Sequence, residues 1–367
     1  GTLKFVKYMR FFGWEPVILT VENGEYPAID PSLIQEIPDN IQVYKTKAFQ
    51  PFQLYRMLTG KKGNTHNNAN VFGQKDKTFV ERLAKWIRLN LFIPDARIGW
   101  YAYAVKAAKK IIEQEHIDLI YSSSPPHSLQ LIAQKIAKQN KIKWVADFRD
   151  PWSELVHYQS YKRTWLTRKI DSHFEKSVFR SADRLVAAAN DYATCIKTHV
   201  DRKIEVIYNG YDPSDFPKPK SKNTEDFLIT YTGELSEDRI PHALLRALSR
   251  LEDSNIKLQF IGNTCPELKQ EIQQLNLGNK VILKPYMPHI ASIAELQQSD
   301  LLLLVINQVA NGKGIVPGKI FEYLGTRKPI LCLGDPTGEA GEIIKTTNSG
   351  FCIAHHNEEE IFILLSR

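Results

Sequence analysis

Leu301-Leu-Leu-Leu-Val-Ile-Asn-Gln-Val-Ala-Asn-Gly-Lys-Gly-Ile-Val-Pro-Gly-Lys-Ile-Phe-Glu-Tyr-Leu-Gly325 is the most informative stretch of the chain. Its aliphatic opening, Leu301 to Ile306, has the pattern of a strand buried on both faces of a parallel sheet. The run is far too short to span a bilayer. A turn with two glycines follows, and then a helix that opens near Pro317-Gly318. Proline suits the first helical turn, where its missing N–H costs nothing. Gly318 lets a ligand or another chain approach the backbone. The free N–H groups of that turn and the helix dipole favour an anion. Lys319 brings a mobile positive charge to the same place, and Glu322 follows on the same helix face. A carboxylate there can accept hydrogen bonds from two vicinal hydroxyls, as on a ribose. Diphosphate at the helix tip and ribose one turn down describe a nucleoside diphosphate. The alternative reading is a Lys319–Glu322 surface pair beside a helix cap. A P-loop is discounted, because the Gly312 to Gly318-Lys319 spacing is one residue too long and Ile320 replaces Ser/Thr.

Outward from this stretch, strands and helices alternate, which predicts a parallel α/β sheet. In the C-terminal half the expected strands are 228–232, 257–261, 281–284, 301–306 and 329–333, separated by helices at 242–251, 267–275 and 293–298. The N-terminal half reads as strands at 117–122, 143–146, 184–188 and 204–208, with helices at 128–140 and 164–181, the second capped by Thr164. Between the halves lies Asn209-Gly-Tyr-Asp-Pro213, a turn signature, followed by a polar, proline-containing run to Thr224. The expected domains are therefore residues 1–208 and 225–367, joined by a linker at 209–224. Residues 2–12 read as an amphipathic helix and 15–21 as a strand. A domain that opens on a helix is expected to lack its first strand and loop. The far end stops in a helical pattern from Glu358.

Residues 50–100 break the alternation. Lys61 to Asn70 reads as a loop. Phe79 to Phe92 is amphipathic and carries Arg82, Lys85, Trp86 and Arg88. Such a helix lies on a membrane surface or is an ordinary surface helix with its apolar face on the core. The net charge of +7 favours anionic partners without choosing among them. Hydrophobic residues at 43% and charged residues at 24% are ordinary for a soluble globular protein. The four cysteines are scattered without a C-x-x-C pair. No disulfide framework or zinc site is expected, and a reducing, cytoplasmic setting fits. The lysines are dispersed and no nucleic-acid motif is present, so nucleic acid is not an expected partner.

The segment Val316-Pro-Gly-Lys-Ile-Phe-Glu-Tyr-Leu-Gly-Thr-Arg-Lys-Pro-Ile330 resembles the donor-site segment of glycosyltransferase family 4, also called group 1, whose members have the GT-B fold. Other segments agree in order: Ile229-Thr-Tyr-Thr-Gly-Glu-Leu235 with Arg239, Asn209-Gly-Tyr-Asp212, Asp118-Leu-Ile-Tyr-Ser-Ser-Ser-Pro-Pro-His127, and Trp144-Val-Ala-Asp-Phe-Arg-Asp-Pro-Trp152. The resemblance implies two Rossmann-like domains facing each other across a cleft, the N-terminal one binding an acceptor and the C-terminal one a nucleotide sugar. Arg239 and Lys319 would neutralise the donor diphosphate as it leaves. Glu322 would hold the ribose, Gly233 and Gly318 would permit close approach of the donor, and Tyr286 and Met287 would flank the base. His127 would lie near the reacting sugar. Asp147, Arg149 and Asp150 end the next strand, where open α/β sheets place ligands. Asp147 and Arg149 would contact the acceptor, and Asp150 is the candidate for activating its hydroxyl. The bland alternatives are that His127 caps the helix at Ser128, and that Asp147, Arg149 and Asp150 form a buried ion network.

The sequence departs from the family pattern at two donor positions. Gly314 stands where many members carry the first of two glutamates, and Glu234 where an arginine often follows the first donor-domain glycine. The expected reaction is transfer of a sugar from a nucleoside-diphosphate sugar to a hydroxyl of a saccharide or lipid-linked acceptor, with retention at the anomeric carbon. No cofactor or metal is expected, and the setting is surface polysaccharide or glycolipid assembly, with peripheral contact at the inner face of the membrane. The alternatives are a sugar-nucleotide epimerase of the same fold and a non-catalytic nucleotide-binding protein.

Overall fold

The alternation of apolar runs and amphipathic helices folds into two α/β units in the computed structural model. It describes residues 2–22, 24, 34, 36–49, 79–153, 163–218, 222, 225–251, 255–309 and 312–366. The loop expected at 61–70 lies outside the described residues, as does most of 219–224.

The N-terminal unit comprises Gly1–Ala188 and Tyr192–Ile207. It opens on α1 (Thr2–Met9), which tightens into a 3₁₀ turn and stops at Gly13, where φ is +79°. Then follow β1 (Val17–Val21), β2 (Gln42–Thr46), α2 (Phe79–Leu91), α3 (Tyr101–Glu115), β3 (Leu119–Ser124) and α4 (Ser128–Asn140). The unit continues with β4 (Lys143–Phe148), α5 (Trp165–Ser181), β5 (Arg184–Ala187), α6 (Asn190–His199) and β6 (Ile204–Val206). β1 and β2 pair in parallel, and β3-β4-β5-β6 form a separate four-stranded parallel sheet. A helix follows each of β3, β4 and β5, so each chain reversal happens off the sheet and neighbouring strands run the same way. Thr164 caps α5 by accepting from Thr167 N at 3.2 Å.

The C-terminal unit comprises Ala189–Asp191 and Tyr208–Arg367. Its elements are β7 (Phe227–Thr232), α7 (His242–Arg250), β8 (Ile256–Ile261), α8 (Pro266–Gln274), β9 (Val281–Lys284) and α9 (His289–Gln298). After them come β10 (Leu301–Val305), α10 (Lys319–Thr326), β11 (Ile330–Leu333), α11 (Glu339–Thr346), β12 (Gly350–Ile353) and α12 (Glu358–Leu365). Its six parallel strands run in the order β12-β11-β10-β7-β8-β9. The chain builds outward from β7 to β9, then crosses to the other side of β7 for β10. That reversal makes the β7–β10 boundary the switch point, where open α/β sheets hold ligands at the C-terminal ends of their strands.

The aliphatic run at 301–306 serves both faces of this sheet. Leu301, Leu303 and Val305 join a core with Ile229, Tyr231 and the helix residues Leu244 and Leu248. Leu302, Leu304 and Ile306 join another with Ile320 and Tyr323 of α10. Alternate side chains of one strand point to opposite faces, so a central strand must be apolar at every position. The stretch after residue 208 is not a free connector. Phe216 and Tyr211 meet edge-on at 5.4 Å and pack against Gly325 of α10, where a Cβ would lie 2.5 Å from the Phe216 ring.

Candidate functional site

Two glycines at strand ends shape the switch point. Gly233, just past β7, has φ of +109°, and a Cβ there would lie 3.0 Å from Lys319 Nζ. Gly262, just past β8, has φ of +129°, and a Cβ there would lie 2.5 Å from the Gly233 carbonyl oxygen. Both conformations favour glycine, and the lack of side chains lets the strand ends close up while the lysine enters. Lys319 Nζ donates to the Thr232 carbonyl at 2.6 Å and lies 4.0 Å from the centre of the Tyr231 ring.

Arg239 sits on a 3₁₀ turn after β7 and is aimed by its neighbours. Its Nε donates to Asn307 Oδ1 at 3.0 Å and its Nη1 to the Glu234 carbonyl at 3.4 Å. Asn307 is held in turn, donating to Asp238 at 2.6 Å. Glu234, which stands in place of an arginine, thus contributes its backbone carbonyl to orient another one. Burial pushes the Lys319 ammonium down to about 7; the Arg239 charge lowers it further and Glu322 pulls the other way. A lysine kept in a spot that disfavours its own charge, beside a second cation, is suited to an incoming anion.

Lys319 and Glu322 do not form an ion pair among the described residues. Glu322 turns to α9 instead, with Oε1 2.9 Å from His289 Nε2, and His289 Nδ1 lies 3.9 Å from Asp215 Oδ2. The Pro317 carbonyl accepts from Ile320 N at 3.0 Å, so α10 begins at Lys319, after the proline, with Gly318 as its leading residue. Tyr286 is exposed and Met287 half-buried in the short loop between β9 and α9, immediately before His289. The structure thus draws Gly233, Arg239, Gly318, Lys319 and Glu322 around one switch point and places Tyr286 and Met287 on the loop that leads into it.

The N-terminal residues divide into two groups. Asp147, at the end of β4, is buried and accepts from Tyr121 at 2.5 Å and from Ser123 at 2.9 Å, with Arg149 3.5 Å away. Its carboxylate is taken up by these neighbours. Asp150 is exposed at the surface yet closely surrounded, and desolvation raises its carboxyl above the usual range against the lowering pull of Arg149. His127 is buried and stacks on Trp152 at 4.8 Å, with no hydrogen-bond partner on either ring nitrogen. Burial pushes its pKa down to about 3; the nearby Pro151 carbonyl raises it slightly without meeting it in hydrogen-bond geometry. The ring is therefore neutral. His127 does not cap α4; Asp95 does, accepting from Ser128 N and Ser128 Oγ at 2.9 Å each.

Sequence reasoning missed Gly262, Asn307, Asp95 and the pairing of His289 with Glu322. Gly262 carried a signal, since Ile261-Gly262 repeats the strand-end glycine of Thr232-Gly233. The pairing of His289 with Glu322 did not, because the helix pattern is visible only from Ile293 onward, whereas α9 starts a turn earlier.

Two family models match the chain in succession: Glycosyltransferase Family 4 over residues 69–215 and Glycosyl transferases group 1 over residues 213–363. A search of the curated proteins gives no match. Among solved structures, a glycosyltransferase from Rickettsia africae is 14% identical with a TM-score of 0.61, covering 100% of this chain and 82% of that one. HepE from Anabaena, in complex with UDP, is 14% identical with a TM-score of 0.59, covering 95% and 89%. Sucrose-phosphate synthase from Thermosynechococcus elongatus is 11% identical with a TM-score of 0.61, covering 99% and 82%. At these identities the structures speak for the fold alone, and the family models carry the assignment. The chain belongs to the family 4, group 1 glycosyltransferases and has their GT-B fold.

Proposed function

We propose that the chain transfers a sugar from a nucleoside-diphosphate sugar to a hydroxyl of a saccharide or lipid-linked acceptor. One observation carries this: Arg239 and Lys319 converge at the switch point, one turn of α10 from a carboxylate that pairs with His289 and forms an ion pair with neither cation among the described residues. Lys319 and Arg239 meet the diphosphate and stabilise the charge that grows on it as the glycosidic bond breaks. Glu322 accepts from the ribose hydroxyls, and Tyr286 and Met287 border the base. Asp150 accepts the proton of the acceptor hydroxyl, its raised pKa making it a stronger base than an ordinary aspartate. Asp147 orients Arg149, and His127 lends a neutral ring to the acceptor side. The solved HepE complexes contain UDP, and UDP with glucose, which favours a uridine diphosphate donor here.

The two cations take the place a divalent ion would otherwise fill, so transfer needs no metal; retention at the anomeric carbon is what membership of the family implies, and it calls for attack by the acceptor on the face the diphosphate leaves. The acceptor belongs to surface polysaccharide or glycolipid assembly. A thermal-shift screen of the chain against UDP, GDP, ADP, CMP and dTDP, with magnesium and with EDTA, tests the reading. A ligand that binds only the native state raises the midpoint by mass action. A shift with one diphosphate, unchanged by EDTA, supports it; no shift with any nucleotide, or one that needs magnesium, counts against it.

A further inference from the structure

We propose that His289 sets the donor site's preference for ribose over deoxyribose, by fixing the carboxylate of Glu322. This rests on the reading of Glu322 as the ribose acceptor. His289 opens α9 and Glu322 lies in the first turn of α10, and their side chains meet with Nε2 2.9 Å from Oε1. A carboxylate only accepts hydrogen bonds, so the ring nitrogen facing it carries the hydrogen. The other ring nitrogen faces Asp215, buried at 7% exposure, across 3.9 Å. Asp215 ends the Pro213–Asp215 turn, which Asp212 caps by accepting from Ser214 N at 2.9 Å. The imidazole thus stands between a capped turn and the working carboxylate.

The consequence is geometric. Glu322 is about a third exposed at its side chain, and a glutamate left to itself samples many rotamers. The hydrogen bond at Oε1 selects one of them and leaves Oε2 with no hydrogen-bond partner among the described residues. A vicinal diol can donate to Oε2 and to the second lone pair of Oε1. A site held ready for a hydroxyl rejects an analogue that lacks it, because the acceptor is then left unpaired; a floppy acceptor simply turns back to water. His289 is therefore a positioning residue. It also follows the Tyr286-Met287 loop directly, so the segment that borders the base goes on to fix the sugar. A tie between α9 and α10 alone would affect thermal stability and leave nucleotide discrimination untouched.

Calorimetric titration of the full chain with UDP, GDP, ADP and CDP, and with their 2′-deoxy counterparts, tests the inference. Wild type is expected to bind one diphosphate at least about tenfold more tightly than its deoxy form. His289→Leu should bring that ratio close to one. His289→Gln, whose amide nitrogen reaches the Nε2 position, should restore most of it. If His289→Leu does not fold, His289→Asn takes its place, since its amide reaches only the Nδ1 position and should lose the ratio. A wild-type ratio in His289→Leu or His289→Asn overturns the inference, as does a Gln variant no better than them. Glu322→Ala separates the two levels. Loss of the ratio there, with retention in the His289 variants, sinks the His289 role alone. No binding by wild type, no ratio in wild type, or an unchanged ratio in Glu322→Ala sinks the ribose assignment and the inference together.

Discussion

Lys319 is a side chain held at a cost to the fold. Its pKa falls from about 10.5 unfolded to about 7 folded, chiefly through burial. Between those values the unfolded chain binds the proton and the folded one does not. Stability therefore rises with pH across that window, and the penalty is fully present below about pH 7. Lys319→Met should remove the penalty and raise the midpoint of the empty protein at pH 7. A gain of about 1 kcal/mol corresponds to roughly 2–4 °C for a unit of the size of the C-terminal one. The same variant should lose the midpoint shift given by a nucleoside diphosphate; a lower midpoint together with an intact shift would show that Lys319 is structural. A bound diphosphate favours the charged lysine, so binding takes up a proton near neutrality. Affinity should weaken as pH rises from 6 to 8, by about tenfold, and Lys319→Arg, which stays charged, should flatten that slope. Asp150 gives the opposite limb. Its raised carboxyl must lose its proton to act as a base, so kcat/KM should fall as pH drops through a value above the ordinary aspartate range. Asp150→Asn should lower kcat by at least about a hundredfold, measured on a donor and acceptor that turn over in wild type.

At the scale of elements, the turn after β7 and the turn after β8 are locked to each other through two glycines. Gly262→Ala would place a Cβ 2.5 Å from the Gly233 carbonyl, in a backbone conformation that side chains rarely adopt. It should cost more than about 1 kcal/mol and also weaken diphosphate binding, since Gly233 and Lys319 must move. Denaturant unfolding read beside nucleotide titration checks both effects; a stability loss with unchanged affinity would detach this turn from the site. α4 depends on Asp95, a residue remote from it in sequence. Asp95→Ala should cost about 1 kcal/mol. That dependence could not be read from the chain, where Thr164 before α5 is a local cap that the structure keeps and His127 before α4 is a local candidate that makes no cap hydrogen bond. A local cap is written in neighbouring residues, and a tertiary one exists only after packing.

At the scale of the whole molecule, the apolar surface of the N-terminal unit matters. Trp86 and Leu91 of α2 are 46% and 64% exposed, and Trp165 and Leu166 of α5 are 72% and 57% exposed. The two helices are joined where Thr164 N donates to Asn90 at 2.7 Å and Arg163 to the Leu89 carbonyl at 3.3 Å. Arg82, Lys85, Arg88, Arg168 and Lys169 lie on the same two helices, with Lys169 over the Trp165 ring at 5.0 Å. No described helix is long and apolar enough to cross a membrane. We propose that this basic-aromatic surface rests on an anionic bilayer, as suits a lipid-linked acceptor. The full chain should sediment with vesicles containing anionic lipid and less with neutral ones. A Trp86→Ala/Trp165→Ala double variant should lose most of that binding while keeping its nucleotide-induced midpoint shift. Equal sedimentation of the variant and wild type would exclude the surface.

Hydrophobic periodicity and punctuation by themselves determined the α/β class and the order of most of the strands, because these properties are local and repeat along the chain, while the family was legible only through the resemblance of ordered motifs; the strands at 42–46 and 350–353 and the helices at 101–115, 190–199 and 339–346 went unread. The donor residues Lys319 and Glu322 were legible for the same reason, since a helix start after a buried strand is a local pattern. Tertiary structure alone decided what each of those residues faces. It turned Lys319 and Glu322 away from each other, brought His289 from another helix to the carboxylate, and set Gly262 against Gly233. It also tied Asp147 to Tyr121 and Ser123, and placed Cys332 beside Cys352 on neighbouring strands. These pairings join residues far apart in sequence through the crossover order of the sheet, and no periodicity within a strand or helix encodes which strand lies next to it.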